Sequence, residues 1–278
     1  MKKVVILANS SKPAVAAAMG KLDPWLREHA QIVARIDEKT DWDGRPADFA
    51  VVVGGDGTVL LAARKLARFG LPILPVNVGK FGFLSEATAE DAQAVLAEVL
   101  AGRFQVQQRM MLHCTLQRDG KVIQETPALN DAVISRTSLS RLMTLDFMVD
   151  GELVTTYRAD GLVVATPVGS TAHSLAAGGP IVYPELDAFV IAPICPHTLS
   201  NRPLVLPPDK TLEVRPRDYA EQPALTVDGQ VYSVLSDGDS IVITKSKDKL
   251  RLIRTGRRTF FQTLCDKLAW SGHPQYGR

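Results

Sequence analysis

Three glycines and one carboxylate stand together where an apolar run ends. Val51-Val52-Val53 leads into Gly54-Gly55-Asp56-Gly57-Thr58, and apolar residues at helical spacing follow at once. Glycines let backbone N–H groups approach a phosphate with no Cβ in the way, and the first turn of a helix adds partial positive charge. In an open parallel sheet, ligands collect at the carboxyl ends of the strands, where this loop falls. Asp56 is the residue that a phosphate cradle does not explain, because a carboxylate repels phosphate. It fits chemistry in which it takes a proton from an attacking hydroxyl or holds a magnesium ion. The alternative is a structural turn with Asp56 as helix N-cap. The stretch is not a P-loop, since no GxxxxGK[ST] is present, and Leu60 stands where the GxGxxG fingerprint needs its third glycine.

A second concentration of small polar residues lies at Asp160 to Val182, DGLVVATPVGSTAHSLAAGGPIV. Gly169, Gly178 and Gly179 permit close backbone approach, while Ser170 and Thr171 offer hydroxyls to a polar ligand. Upstream, Asn130-Asp131 sets an amide beside a carboxylate, a pair that by itself reads as a turn.

The elements that must hold these residues differ between the two halves. Val4 to Asn9, Gln31 to Ile36, Phe49 to Val53 and Ile73 to Val78 read as strands. Between them, Pro13 to His29 reads as a helix weakened by Gly20 and Pro24, and the helix from Val59 stops at Gly70, with Pro72 just beyond. Thr88 with Asp91 forms a capping-box pattern opening a helix over Ala89 to Leu100, which Gly102 ends. From about Phe104 the helical period disappears. Short runs are separated by Asp119-Gly120, Asp150-Gly151, Asp160-Gly161, Asp228-Gly229 and Asp237-Gly238, which supply the positive φ angles of hairpin turns. Phe260, Leu264 and Leu268 return to helical spacing. The expected architecture is an α/β N-terminal domain with a parallel sheet over 1–103, an all-β C-terminal domain over 104–258, and a C-terminal helix and tail, 259–278, packing back on the first domain.

Composition narrows the partners. A net charge of +2 over 278 residues gives no basic field for nucleic acid or an anionic membrane, and the basic run Arg254 to Arg258 reads as a solvated loop. Cys114, Cys195 and Cys265 offer no zinc spacing and read as buried reduced thiols. The apolar run Val4 to Ala8 is too short for a signal peptide, and no segment has the length of a membrane span, so a cytoplasmic protein is expected.

The GGDGT loop resembles a signature shared by NAD kinases, diacylglycerol and sphingosine kinases and, more loosely, phosphofructokinases. That implies a kinase acting on a hydroxyl. Asn77 to Leu84, NVGKFGFL, is similar to the NxGxLGFL of NAD kinases, with Phe81 in the usual Leu place. Asp160 to Val182 resembles that family's DGxxxxTPxGSTAYxxSxGGP, with His173 for the Tyr and Ala176 for the last Ser. Pro193 to Leu206 and Asp228-Gly229-Gln230 match further stretches, so the resemblance to bacterial-type NAD kinases covers about residues 50 to 232.

The resemblance implies transfer of the γ-phosphate of ATP to the 2′-hydroxyl of the adenosine ribose of NAD. It implies Asp56 as general base, with Gly54, Gly55, Gly57 and Thr58 at the donor phosphates. At NAD it implies Asp56, Gly57, Asn130, Asp131, Arg141, Arg158, Asp160, Thr171, Ala172, His173, Ser174, Leu175, Ala176 and Gln230, with the dinucleotide between the domains. An imidazole at His173 can stack on a purine, whereas Ala176 offers no hydroxyl. Magnesium is the implied cofactor, with no ligand named by the sequence, and a homodimer or homotetramer is the implied assembly. Two other readings stay open: a lipid kinase built on the same loop, and a non-catalytic NADP(H)-binding sensor that kept the fold.

Overall fold

Residues 1–79, 82–137, 142–198 and 200–270 are described by a computed structural model. The chain divides into two compact units: Met1–Gln107 together with the C-terminal segment from Arg251, and Gln108–Leu250. In the first unit, β1 (Lys3–Ala8), α1 (Pro13–His29), β2 (Gln31–Ile36), β3 (Phe49–Gly54), α2 (Asp56–Leu66), β4 (Ile73–Asn77) and α3 (Ala92–Leu100) alternate as expected. The sheet runs β2-β1-β3-β4, followed by Leu250–Arg254 and Gln105–Arg109, and the pairs β1–β2, β1–β3 and β3–β4 are parallel. Every residue of β3 is buried, which is why its sequence is an unbroken apolar run rather than an alternating one. The strand order reverses between β1 and β3, and the GGDGT loop leaves the carboxyl end of β3 at that reversal.

Helix α1 has the expected bounds, and it runs through Gly20 and Pro24 because Val15, Met19, Leu22 and Leu26 are buried at helical spacing and tertiary packing outweighs intrinsic propensity. Two local expectations change. The helix expected from Ala89 begins at Ala92. Thr88 and Asp91 do exchange bonds, with Thr88 N donating to Asp91 Oδ1 at 2.6 Å and Asp91 N to Thr88 Oγ1 at 3.4 Å, but they close a turn ahead of the helix. Leu250–Arg254, read from the sequence with the second domain, joins the parallel sheet beside β4, so the second unit closes at Leu250 rather than at 258. The helix Phe260–Leu268, capped reciprocally by Thr259 and Gln262, belongs to the first unit.

The second unit consists of two antiparallel six-stranded sheets. One carries Glu152–Ala159 and Met143–Val149 at one edge and Lys121–Ala128 at the other; in the second, Gly161–Ala165 lies between Phe189–Ile194 and Asp131–Ser135. Both sheets contribute to one core containing Phe147, Leu145, Phe189, Ile191, Leu162 and Ile243. Asp119-Gly120, Asp150-Gly151 and Asp228-Gly229 have positive φ at both residues, the turn geometry expected of them. Asp160-Gly161 is not such a turn. Gly161 opens a central strand, where a Cβ would come within 2.5 Å of the Ile134 carbonyl oxygen. The cysteines also differ from expectation: Cys114 is buried, and burial pushes its thiol up to about 12, but Cys195 is exposed and Cys265 only half-buried. Among the described residues no helix is long and apolar enough to cross a membrane.

Candidate active site

Helix α2 starts one residue earlier in the loop than an Asp56 cap requires. Gly55 is the N-cap, in extended conformation, and Asp56 is the first helical residue with its side chain turned away from capping. The Asp56 carboxylate instead accepts two backbone hydrogen bonds from the segment after β4: Phe83 N at 2.9 Å and Leu84 N at 3.3 Å. The result is a half-buried carboxylate fixed at a strand end, flanked by the exposed Gly55 and Gly57. Gly54 is tied to the same segment, its carbonyl accepting from Val78 N at 3.3 Å, and a Cβ on Gly54 would overlap Thr58 Oγ1. Buried Asn77 braces this segment through Nδ2 to the Gly79 carbonyl at 3.1 Å.

Gly82 completes the seat, since a Cβ there would overlap Asp56 Oδ1. The clash is with the end of a side chain rather than with backbone, so Gly82→Ala should fold but push the carboxylate off its two donors. Loss of turnover on the order of 10²-fold with a near-native thermal midpoint is expected. Unaltered turnover in steady-state assays of the folded variant would contradict this seat.

In the second unit the organising group is Asp228, which sequence reasoning placed only in a turn. Its buried carboxylate accepts from the backbone N–H groups of Leu129 (3.0 Å), Asn130 (2.7 Å) and Asp131 (3.2 Å). Burial pushes the Asp228 carboxyl above its ordinary value, against the pull of those three donors. Thr166 bonds the other side of the same loop, Oγ1 donating to the Leu129 carbonyl at 2.5 Å and N to that of Asn130 at 2.8 Å. Gly169 passes so close that a Cβ would overlap the Asn130 carbonyl oxygen. Thr171 and Ala172 end the turn Gly169–Thr171, and His173, Ser174, Leu175 and Ala176 form one short helix. Ser174 is fully buried with no partner for its Oγ.

His173 lies over Asp131, Nδ1 standing 3.3 and 3.4 Å from the two carboxylate oxygens, while the Asp131 side chain is only 1% exposed. The hydrogen bond to Asp131 raises the imidazole above its ordinary value of 6.5, with desolvation opposing. The folded value exceeds the unfolded one, so the stability this pair contributes is complete below pH 6.5 and fades as pH rises through the higher folded midpoint. An NMR titration should place the His173 midpoint above 6.5 and Asp131→Asn should lower it; a native midpoint at or below 6.5 would contradict the pairing.

Gln230 is exposed in the turn directly after Asp228, whereas other expected residues lie apart from this cluster. Asp131 pairs with Ala165 and Ser135 with Gly161, so Asp160 lies at the opposite end of that strand, roughly 15 Å away at ordinary strand rise. There Asp160 is paired with Arg136 at 2.9 Å, a residue that sequence reasoning did not select. Arg158 is exposed on the neighbouring sheet, and Arg141 lies outside the described residues. Among the described residues, no three His, Cys, Asp or Glu side chains gather closely enough to hold a metal ion.

The sequence patterns of two domains match this chain: the ATP-NAD kinase N-terminal domain over residues 8–104 and the ATP-NAD kinase C-terminal domain over residues 129–255. The chain belongs to the NAD kinase family. The NAD kinase of Koribacter versatilis is 42% identical across 97% of this chain and 99% of its own length, and that of Geobacter metallireducens 39% identical over the same shares. Among solved structures, yeast NADH kinase complexed with NADH superposes with a TM-score of 0.85 at 26% identity, covering 100% of this chain and 90% of its own. An NAD kinase from Archaeoglobus fulgidus in complex with ATP gives 0.72 at 26% identity, covering 98% and 100%.

Within an NAD kinase, the residues missed by sequence reasoning are those acting through backbone: Asp228, Thr166 and Gly82. Their motifs, the DGQ turn, the TPxGS block and NVGKFGFL, were visible. What the spacing could not show is that the first two converge on the Asn130-Asp131 loop and the third on Asp56.

Proposed function

We propose that this NAD kinase transfers the γ-phosphate of ATP to the 2′-hydroxyl of the adenosine ribose of NAD, with Asp56 as general base. The observation that supports it best is the Asp56 carboxylate, held by two N–H donors at a glycine-lined strand end. An alcohol is a poor nucleophile at neutral pH, and a positioned base contributes about 10² to 10⁴ in rate. Asp56 would take the hydroxyl proton as the oxygen attacks phosphorus, while the start of α2 offers partial positive charge to the donor phosphates near Gly54, Gly55, Gly57 and Thr58. In this reading Asn130, Asp131 and the His173–Ala176 turn recognise the same dinucleotide.

A divalent cation, magnesium in our reading, would offset charge on the donor phosphates when bound. Magnesium is commonly held by one or two carboxylates with substrate phosphates supplying other ligands, a mode that needs no cluster of protein ligands. The match of residues 129–255 to the NAD kinase C-terminal domain favours a dinucleotide over a lipid acceptor, and the intact Asp56 seat favours an enzyme over a sensor. A homodimer or homotetramer working in the cytoplasm belongs to the same proposal. Purified protein incubated with NAD, magnesium and either ATP or polyphosphate should form NADP, detected with an NADP-specific dehydrogenase. No NADP with either donor would overturn the activity.

A further inference from the structure

The segment that seats Asp56 is itself gripped by a buried ion pair that the chemistry above does not use. Glu86 has a 1% exposed side chain, and its Oε2 lies 3.0 Å from Arg254 Nε as a charge contact without hydrogen-bond geometry, the arginine side chain being 15% exposed. Arg254 therefore does not sit in a solvated loop, as its basic run suggested. Its Nη1 donates to the Ser85 carbonyl at 3.2 Å and its Nη2 to that of Arg258 at 3.1 Å. The other Glu86 oxygen accepts from Thr255 N at 2.5 Å and Thr255 Oγ1 at 2.6 Å. From the opposite side, Glu86 N donates to the Pro75 carbonyl of β4 at 3.1 Å, and Ser85 Oγ accepts from Gly82 N at 3.2 Å. Residues 85 and 86 are thus clamped between β4 and the C-terminal strand, directly after the two N–H groups that hold Asp56.

We infer that Glu86 and Arg254 are positioning residues, which fix the Gly82–Leu84 backbone and through it the direction of the Asp56 carboxylate. A buried ion pair contributes little net stability compared with apolar residues of the same volume, so what this one supplies is the geometry it fixes. Arginine suits the task because its planar fork donates to two carbonyls at once while its charge faces the Glu86 carboxylate, which a lysine cannot do. The inference rests on the reading of Asp56 as general base.

A kinetic cycle separates the two. Arg254→Lys keeps the charge but loses the fork, and should lower kcat by about ten- to a hundred-fold with KM for NAD and ATP within about two-fold of native. Placed on Asp56→Asn, whose residual turnover is measurable at high enzyme concentration over long incubation, the same substitution should change kcat by less than about two-fold, because the group it positions is gone. An equal loss in both backgrounds, or native kcat in a folded Arg254→Lys, overturns the positioning role. Near-native turnover in Asp56→Asn alone overturns the general-base reading instead. Should Arg254→Lys not fold, Ser85→Ala removes the acceptor of Gly82 N without disturbing a charge and must show the same dependence on Asp56.

Discussion

Asp56→Asn should lower kcat by about 10² to 10⁴-fold, the range that a positioned general base supplies. The size of the effect follows from what the amide lacks. Asparagine has the volume of aspartate and keeps one oxygen, but it cannot accept a proton from an alcohol at neutral pH. Its structural cost is small by comparison. One of the N–H groups of Phe83 and Leu84 loses its acceptor, which at a half-buried position amounts to about 1 kcal/mol, or a drop of roughly 2–4 °C in thermal midpoint for a chain of this size. A large kinetic loss beside a small thermal one is the signature to look for, with NADP formation and a melting curve measured on the same preparation. Near-native kcat would remove Asp56 from the chemistry.

Gly169→Ala is expected to be the most damaging single methyl in the second unit. The added Cβ would overlap the carbonyl oxygen of Asn130 and lie 2.5 Å from its carbon and 2.8 Å from its Cα, all of them backbone atoms. That backbone has nowhere to go, since Asp228 holds it through three N–H groups and Thr166 through two further bonds. Overpacking of this kind costs about 1–3 kcal/mol, and each buried hydrogen bond broken to relieve it adds about 1 more. Because the displaced loop carries Asn130 and Asp131, the KM for NAD should rise along with the loss of stability. Gly20→Ala is the matched control. Its Cβ would meet nothing within 4 Å, in the middle of α1, and should stabilise by about 0.4–1 kcal/mol. A Gly169→Ala protein with the native melting point and KM would show that the loop is not clamped as described.

The comparison between Gly82 and Gly169 shows what was legible in the sequence and what was not. Both belong to motifs that the sequence displays, and both read there only as places of close approach. The partner that approaches comes from elsewhere: the Asp56 side chain for Gly82, 26 residues earlier, and the Asn130 backbone for Gly169, 39 residues earlier. Apolar runs and helical spacing revealed the parallel sheet of the first unit, because burial on two faces or one leaves a direct trace in residue type. The Asp-Gly pairs marked hairpins of the second unit for a similar reason, local φ preference. They failed at Asp160-Gly161, where glycine is needed for lateral packing against Ile134. The cysteines failed because residue type alone does not decide exposure, and Cys195 sits in the solvent-facing stretch after its strand. The strand Leu250–Arg254 was legible as apolar, but its place in the parallel sheet is a pairing more than 170 residues away from β4, which no local pattern encodes.

The decisive measurement is a crystal of the native protein soaked with NAD. A carboxylate oxygen of Asp56 is expected within about 2.6–3.2 Å of the 2′-oxygen of the adenosine ribose, or one water removed from it. A dinucleotide bound with that sugar well beyond such reach, and with no movement of the loop able to bring the two together, would contradict it.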